Sequence, residues 1–317
     1  MRYIFALVAA LVCTPIWAGS YPDRAIRVIV PFAPGGGADV VMRILQPKLM
    51  EELGQPVIID NRPGAGGNIG TEAAARASAD GYTVLVATAA QAINHTLTQN
   101  LNWDLREDFT PVIALVENQS LLATHPSVQV TSVAELIDLA KSEPGRLSFA
   151  SYGTGSTAHM NAELFMLMTG VEMLHVPYKG AGPAINDLVG GQVDLIFGDI
   201  AALLPHVKAG SVRSLAIGSK QRFAELPELE TIAESGVEGY ETGGFLALLA
   251  PSGTPSEAIE KLNAAAEKVL QMPDIRERLQ GLACLPIGGT PVHTAGFING
   301  EIDKWERVIT KAGIELK

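Results

Sequence analysis

Val28-Ile29-Val30-Pro31-Phe32-Ala33-Pro34-Gly35-Gly36-Gly37-Ala38-Asp39 runs straight into Val40-Val41-Met42-Arg43-Ile44-Leu45, and this stretch decides the fold. An apolar, β-branched run ends in two prolines and three glycines. An acidic residue then opens a segment with apolar side chains at helical spacing, so the stretch reads as strand, tight loop and a helix capped by Asp39. Glycines let the backbone approach a ligand, and the free N–H groups of a first helical turn carry partial positive charge. Such a junction suits a carboxylate or a phosphate. A tight βα turn with a capped helix and no ligand explains the same residues.

The pattern continues outward. The helix stops at Gly54, Pro56–Asp60 is a short strand, and Asn61-Arg62-Pro63-Gly64-Ala65-Gly66-Gly67-Asn68 is a second glycine-rich loop, read as structural, before an Ala-rich helix over 69–77. Tyr82–Thr88 is a further buried strand. This βαβαβ order implies an α/β fold of parallel strands with right-handed crossovers, and ligands then sit beyond the strand ends, at the loops starting at Phe32 and Thr88. A strand-like region over 110–123 reads as a crossing between lobes. A second α/β unit follows, with Ser132 and Glu135 as a capping box. It contains strands over 146–150, 173–176, 193–197 and 214–217. Phe245–Pro251 reads as the return crossing, and 255–270, 273–281 and 291–312 as three helices on the first lobe. The expected division is 1–18 as export signal, 19–112 with 244–317 as lobe 1, and 113–243 as lobe 2.

The 317 residues are 47% hydrophobic and 18% charged, enough for a substantial core in each of two lobes. Arg2 followed by the apolar run 3–12 and the small residues around Ala18-Gly19 reads as a cleavable export signal. Cys13 falls within it, so the mature chain keeps only Cys284 and makes no internal disulfide. The net charge of −11 becomes −12 (22 − 34) once Arg2 is removed. That balance, without any basic stripe, argues against nucleic acid or an anionic membrane surface as partner.

Gly153-Thr154-Gly155-Ser156-Thr157-Ala158, between a strand and a helix, matches a dinucleotide fingerprint. That fingerprint requires an acidic residue at the end of the next strand, and Val176-Pro177-Tyr178-Lys179 supplies none. The same loop serves a carboxylate: Ser151, Ser156 and Thr157 add hydroxyls to a helix N-terminus. His159, one turn into the helix, reads as a supporting donor. The six histidines are scattered, so no metal site is expected. Tyr178 and Lys179 offer an aromatic wall and a cation at a cleft mouth. Asp199, ending a buried strand, either caps the next helix or accepts a ligand amine or hydroxyl.

Tyr21–Asp39 with its Pro-Phe-x-Pro-Gly-Gly core, Asn61–Gly67, Asp80-Gly81-Tyr82-Thr83, Ser151–His159, His175-Val176-Pro177-Tyr178-Lys179-Gly180 and Gly191-Gln192-Val193-Asp194 together resemble the extracytoplasmic solute receptors of tripartite tricarboxylate transporters, the TctC or Bug receptors. The resemblance runs over essentially the whole mature chain. It implies a two-lobed periplasmic-binding-protein fold, each lobe a mostly parallel sheet flanked by helices, joined by two crossing strands and closing on a small carboxylate. It also implies that Phe32, Pro34, Gly35, Gly36 and Asp39 of the first loop, with Thr88, face Ser151, Gly153, Gly155, Ser156 and Thr157 of the second. His159 stands behind that second loop, and Tyr178 and Asp199 flank the cleft. Where the family carries an aromatic wall this chain has Gly243-Gly244-Phe245, which implies a wider site or a changed selectivity. The expectation is a monomeric, periplasmic receptor without catalysis or cofactor, whose partners are a small carboxylate and membrane transporter subunits. An exported nicotinamide-dependent oxidoreductase using Gly153–Ala158, or a receptor feeding a signalling system, are the alternatives.

Overall fold

The structure is a computed structural model and describes residues 21–178 and 180–315. The expected export signal with Cys13, and Lys179 of the expected cleft wall, lie outside the described residues. In chain order the elements are β1 (Ile26–Val30), α1 (Gly37–Leu53), β2 (Val57–Asn61), a 3-10 turn (Ala65–Gly67), α2 (Asn68–Ala75), β3 (Thr83–Thr88) and α3 (Ala89–Leu97). Then come β4 (Phe109–Thr124), α4 (Val133–Ser142), β5 (Ser148–Ser151), α5 (Thr157–Thr169), β6 (Leu174–Pro177), α6 (Ala181–Val189), β7 (Leu195–Asp199), α7 (Ile200–Lys208) and β8 (Arg213–Ile217). The chain closes with β9 (Gly243–Pro251), α8 (Ser256–Leu270), α9 (Pro273–Gln280), β10 (Cys284–Gly288) and α10 (Pro291–Ala312). Among the described residues no helix is long and apolar enough to cross a membrane.

The ten strands form one sheet in the order β2-β1-β3-β9-β4-β7-β5-β6, with β8 and β10 also paired to β4. Parallel pairing of β1 with β2 and β3 builds one half, and parallel pairing of β5 with β6 and β7 the other. β4 is the spine. Its first half lies antiparallel to β9 and β10, its second half to β7 and β8. Sixteen residues of strand reach about 50 Å, long enough to serve both halves. The two crossings are thus β4 and β9.

The core explains how the halves are joined. On one side of the sheet a single apolar cluster runs through α3, α5 and α10 and includes Ile93, Phe165 and Trp305. On the other side there are two clusters, one around α1, α8 and α9 and one around α6 and α7. The molecule is therefore closed on one face and cleft on the other. α10 packs against α3 and also against α5, so the C-terminal region is not confined to the first lobe as its sequence position suggests.

Two elements leave no local signal in the sequence, and a third, α7, is expected there only as the helix after Asp199. α3 begins at the end of β3 with no intervening loop, because Thr88 itself is its N-cap. α7 follows β7 in the same way after Asp199. β10 carries Pro286 and sits on β4 at register Leu285↔Glu117, where tertiary pairing overrides a weak local strand signal. Asp39 is not the cap of α1: Gly36 holds that place, with no side-chain cap, and Asp39 is two residues inside the helix.

Candidate functional site

The first loop is held from beneath. Asp39 is 1% exposed; its Oδ2 accepts from Gly35 N–H (2.8 Å) and Arg43 Nε (2.8 Å), and its Oδ1 from Asn61 Nδ2 (3.0 Å). Asn61 Nδ2 also donates to Phe32 O at 3.1 Å. The Arg43 guanidinium above all, helped by the Gly35 and Asn61 donors, holds the Asp39 carboxyl down at about 2. Asp39 braces the loop from inside and presents no surface to a ligand. Gly36 N–H bonds Ala33 O at 3.3 Å, so the amides of Gly35 and Gly36 are both spent within the loop. The N–H groups of Gly37, Ala38 and Asp39, the first turn of an uncapped helix, are left without a hydrogen-bond partner among the described residues. Gly35 itself is required by its backbone, at φ +81°.

The second loop is also tied inward. Ser151 is fully buried, with Oγ 2.7 Å from His175 Nε2. Ser156 caps α5 by accepting from His159 N–H. His159 is 4% exposed: its Nδ1 accepts from Gly155 N–H (3.1 Å), its Nε2 lies 3.2 Å from Glu163, and its ring stacks on His175 at 3.9 Å. Nδ1 acting as acceptor places the proton on Nε2, facing Glu163. Desolvation, then the nearby His159, push the His175 imidazole down to about 4. Tyr178 turns its hydroxyl to Asp187 at 2.7 Å; burial, then that bond, push it up to about 12. Gly153 and Gly155 hold positive φ in the turn above. Ser151, Ser156 and His159 thus shape the loop, leaving Thr157 as the hydroxyl of the expected set outside these bonds.

Thr88 behaves alike: it and Gln91 cap α3 reciprocally, Thr88 N–H donating to Gln91 Oε1 at 2.8 Å. Gln91 is fully buried, and its Nε2 has no partner among the described residues. Phe32 is half-buried beside Gly67, where a Cβ would meet its ring at 3.3 Å. Pro34 is exposed.

What the fold does bring together lies on the cleft face. A cavity of about 240 Å³ opens between Gly35, Gly37 and Val41 on one side and Asp199 and Ala202 on the other. Asn118 and Gln119 of β4 form its back, with Ala283 and Cys284 beside them. A larger concavity of about 710 Å³, bounded by Gln129, Glu135, Asp138 and Arg146, lies wholly on the β5–α4 side and away from both loops. The smaller one stands where two helix N-termini, those of α1 and α7, face each other. Asp199 is the N-cap of α7 by position, but its side chain makes no capping bond, and burial pushes its carboxyl up to about 6. Burial, then the Asp199 charge, push the Cys284 thiol up to about 12, so it stays protonated and donates weakly to Asn118 Oδ1 at 3.4 Å. Gln119 and Cys284 were not anticipated: a crossing strand carries no local signal of which residues reach the cleft.

Gly243, Gly244 and Phe245 are not among the residues that line this cavity. A Cβ at Gly243 would come within 2.5 Å of Asn118 O, so close approach of β4 and β9 requires glycine there. Phe245 is buried on the other face, edge-on to Phe297.

Residues 41–314 match the model of the tripartite tricarboxylate transporter family receptor. The chain belongs to that family. Protein BugT of Bordetella pertussis is 38% identical over 313 residues, covering 98% of this chain and 96% of the relative. Among solved structures, an R. palustris protein with adipate is 38% identical with a TM-score of 0.81, covering 93% of this chain and 99% of that one. MatC from Rhodopseudomonas palustris with bound malate is 33% identical with a TM-score of 0.77, covering 91% and 100%. The receptor is accordingly a periplasmic solute-binding protein and not an enzyme. The oxidoreductase alternative falls with that, and β6 indeed ends at Pro177 without the acidic residue a ribose would need.

Proposed function

We propose that the receptor captures a small organic acid in the cavity between Gly37 and Asp199 and delivers it to the membrane subunits of a tripartite transporter. The observation that carries this is the uncapped N-terminus of α1, whose three free amides open beside a cleft with no lysine or arginine among its described lining residues. Backbone dipoles would replace a cationic side chain as the anion partner. The adipate- and malate-bound relatives support a carboxylate ligand.

The lobes in this reading are 19–112 with 244–317, and 113–243, hinged at β4 and β9. A ligand touching both favours the closed form, which a membrane partner recognises. The continuous core through α10 makes the hinge stiff on one face and leaves the cleft face to open. The chain acts as a monomer after export and loss of residues 1–18. Calorimetric titration of the mature protein from Gly19 against mono-, di- and tricarboxylates, with NAD as control, tests the reading. Micromolar or tighter binding of one acid class supports it, and binding of uncharged solutes alone refutes it.

A further inference from the structure

Gln119 is 1% exposed, and its Nε2 donates to Gln221 O at 3.0 Å. That bond fixes which end of the amide is which, since a carbonyl can only accept. Its Oε1 is buried and left without a partner, and Gln119 lines the cleft cavity. Across the same cavity the Asp199 carboxylate has no ion pair and no hydrogen bond among the described residues; the nearby Tyr152 hydroxyl accepts from Asp199 N–H (3.1 Å). Burial has moved that carboxyl well above the ordinary carboxylate range. A buried acceptor without a donor costs free energy in the empty protein, and a ligand that brings the donor recovers it. Among the described residues no group of three or more His, Cys, Asp or Glu side chains stands together to hold a metal ion.

The cavity is therefore asymmetric in hydrogen bonding. Amides of α1 offer donors on one side, and on the other Gln119 and Asp199 add acceptors beside the N-terminal amides of α7. Resting on the carboxylate reading above, we propose that Asp199 and Gln119 form an acceptor subsite for an ammonium or hydroxyl group on the bound acid, so that the receptor prefers amino- or hydroxy-substituted acids to their unsubstituted parents. A second carboxylate placed against Asp199 would meet an anion and a carbonyl oxygen. An ammonium gains both contacts, and a hydroxyl can give its proton to one.

Matched ligands on one carbon skeleton test this: succinate, malate and aspartate, then adipate and 2-aminoadipate, titrated into the wild-type receptor. The donor-bearing acid of at least one series is expected to bind at least tenfold tighter than its parent. An ammonium advantage points to charge at Asp199, and a hydroxyl advantage to a neutral hydrogen bond. Asp199→Asn should cut the ammonium preference tenfold or more, and Gln119→Met should weaken the donor-bearing acid while sparing the parent. Parents that bind as tightly as their substituted forms overturn the proposal, because the acceptors are then satisfied by water alone. A preference left intact in both variants, each melting as the wild type, overturns it too. If either variant fails to fold, the wild-type ranking decides. Binding of no acid at all would refute the carboxylate reading itself, and this subsite with it.

Discussion

Asp39→Asn keeps the outline of the side chain and removes its charge, which isolates what holds the first loop in shape. The native carboxylate receives three donors, from Gly35, Arg43 and Asn61, in a place 1% exposed. An amide has one acceptor oxygen, and its own N–H groups would face donors. Moving the carboxyl from 3.8 to about 2 corresponds to about 2.5 kcal/mol in full, and screening on the solvent side of the pair, where Arg43 is half exposed, reduces this to about 1 kcal/mol. Leaving a buried N–H unpartnered adds roughly 1–2 kcal/mol. The total of about 2–3 kcal/mol lowers the melting temperature by roughly 4–10 °C. The sign with pH is definite: a folded carboxyl held below its unfolded value stabilises fully above about pH 4 and loses that stabilisation as pH falls towards 2. The gap between wild type and variant should thus be widest near neutrality and close in acid. Acid binding should weaken about tenfold, because the α1 amides lose their fixed loop. A variant that melts within 1 °C of wild type and binds equally well refutes the reasoning.

Other outcomes follow from the same contacts. Gly37→Leu puts a good helix former at a position with nothing within 4 Å of its Cβ, so the protein should fold and melt no lower, while ligand affinity falls at least tenfold because the side chain enters the cavity. Trp305→Ala removes a fully buried ring from the cluster shared by both halves and should cost roughly 3–5 kcal/mol in urea unfolding. His175 stays neutral when folded down to about pH 4 but takes a proton near 6.5 when unfolded, so its contribution is complete above 6.5 and falls as pH drops to about 4. Asp199, raised to about 6, works in the opposite direction, so the check is His175→Gln against wild type: the variant should lose less stability than wild type between pH 7 and pH 4.5.

The strand–loop–helix period at 28–45 and its repeats carried the fold, because buried parallel strands and amphipathic helices leave strong local signals. The site was harder. Glycine loops at 34–37 and 153–155 were readable as loops, but not the direction of their hydrogen bonds. Ser151 and Asp39 look like a ligand donor and a cap in sequence and instead bond His175 and Arg43, while Ser156 and Thr88 are spent as the caps of α5 and α3. Gln119 and Cys284 gave no signal because they reach the cleft through β4 and its edge pairing, contacts spanning more than a hundred residues. Asp199 was legible as a strand-end carboxylate whose two roles stayed open until its side chain was seen to leave α7 uncapped.

The most direct measurement is a crystal structure of the mature receptor with the acid that stabilises it most. The account predicts a carboxylate within hydrogen-bond distance of the Gly37 and Ala38 amides, its other end against Asp199 and Gln119. An acid seated instead in the concavity beside Gln129 and Arg146, with the cavity at Gly37 holding only water, would contradict it.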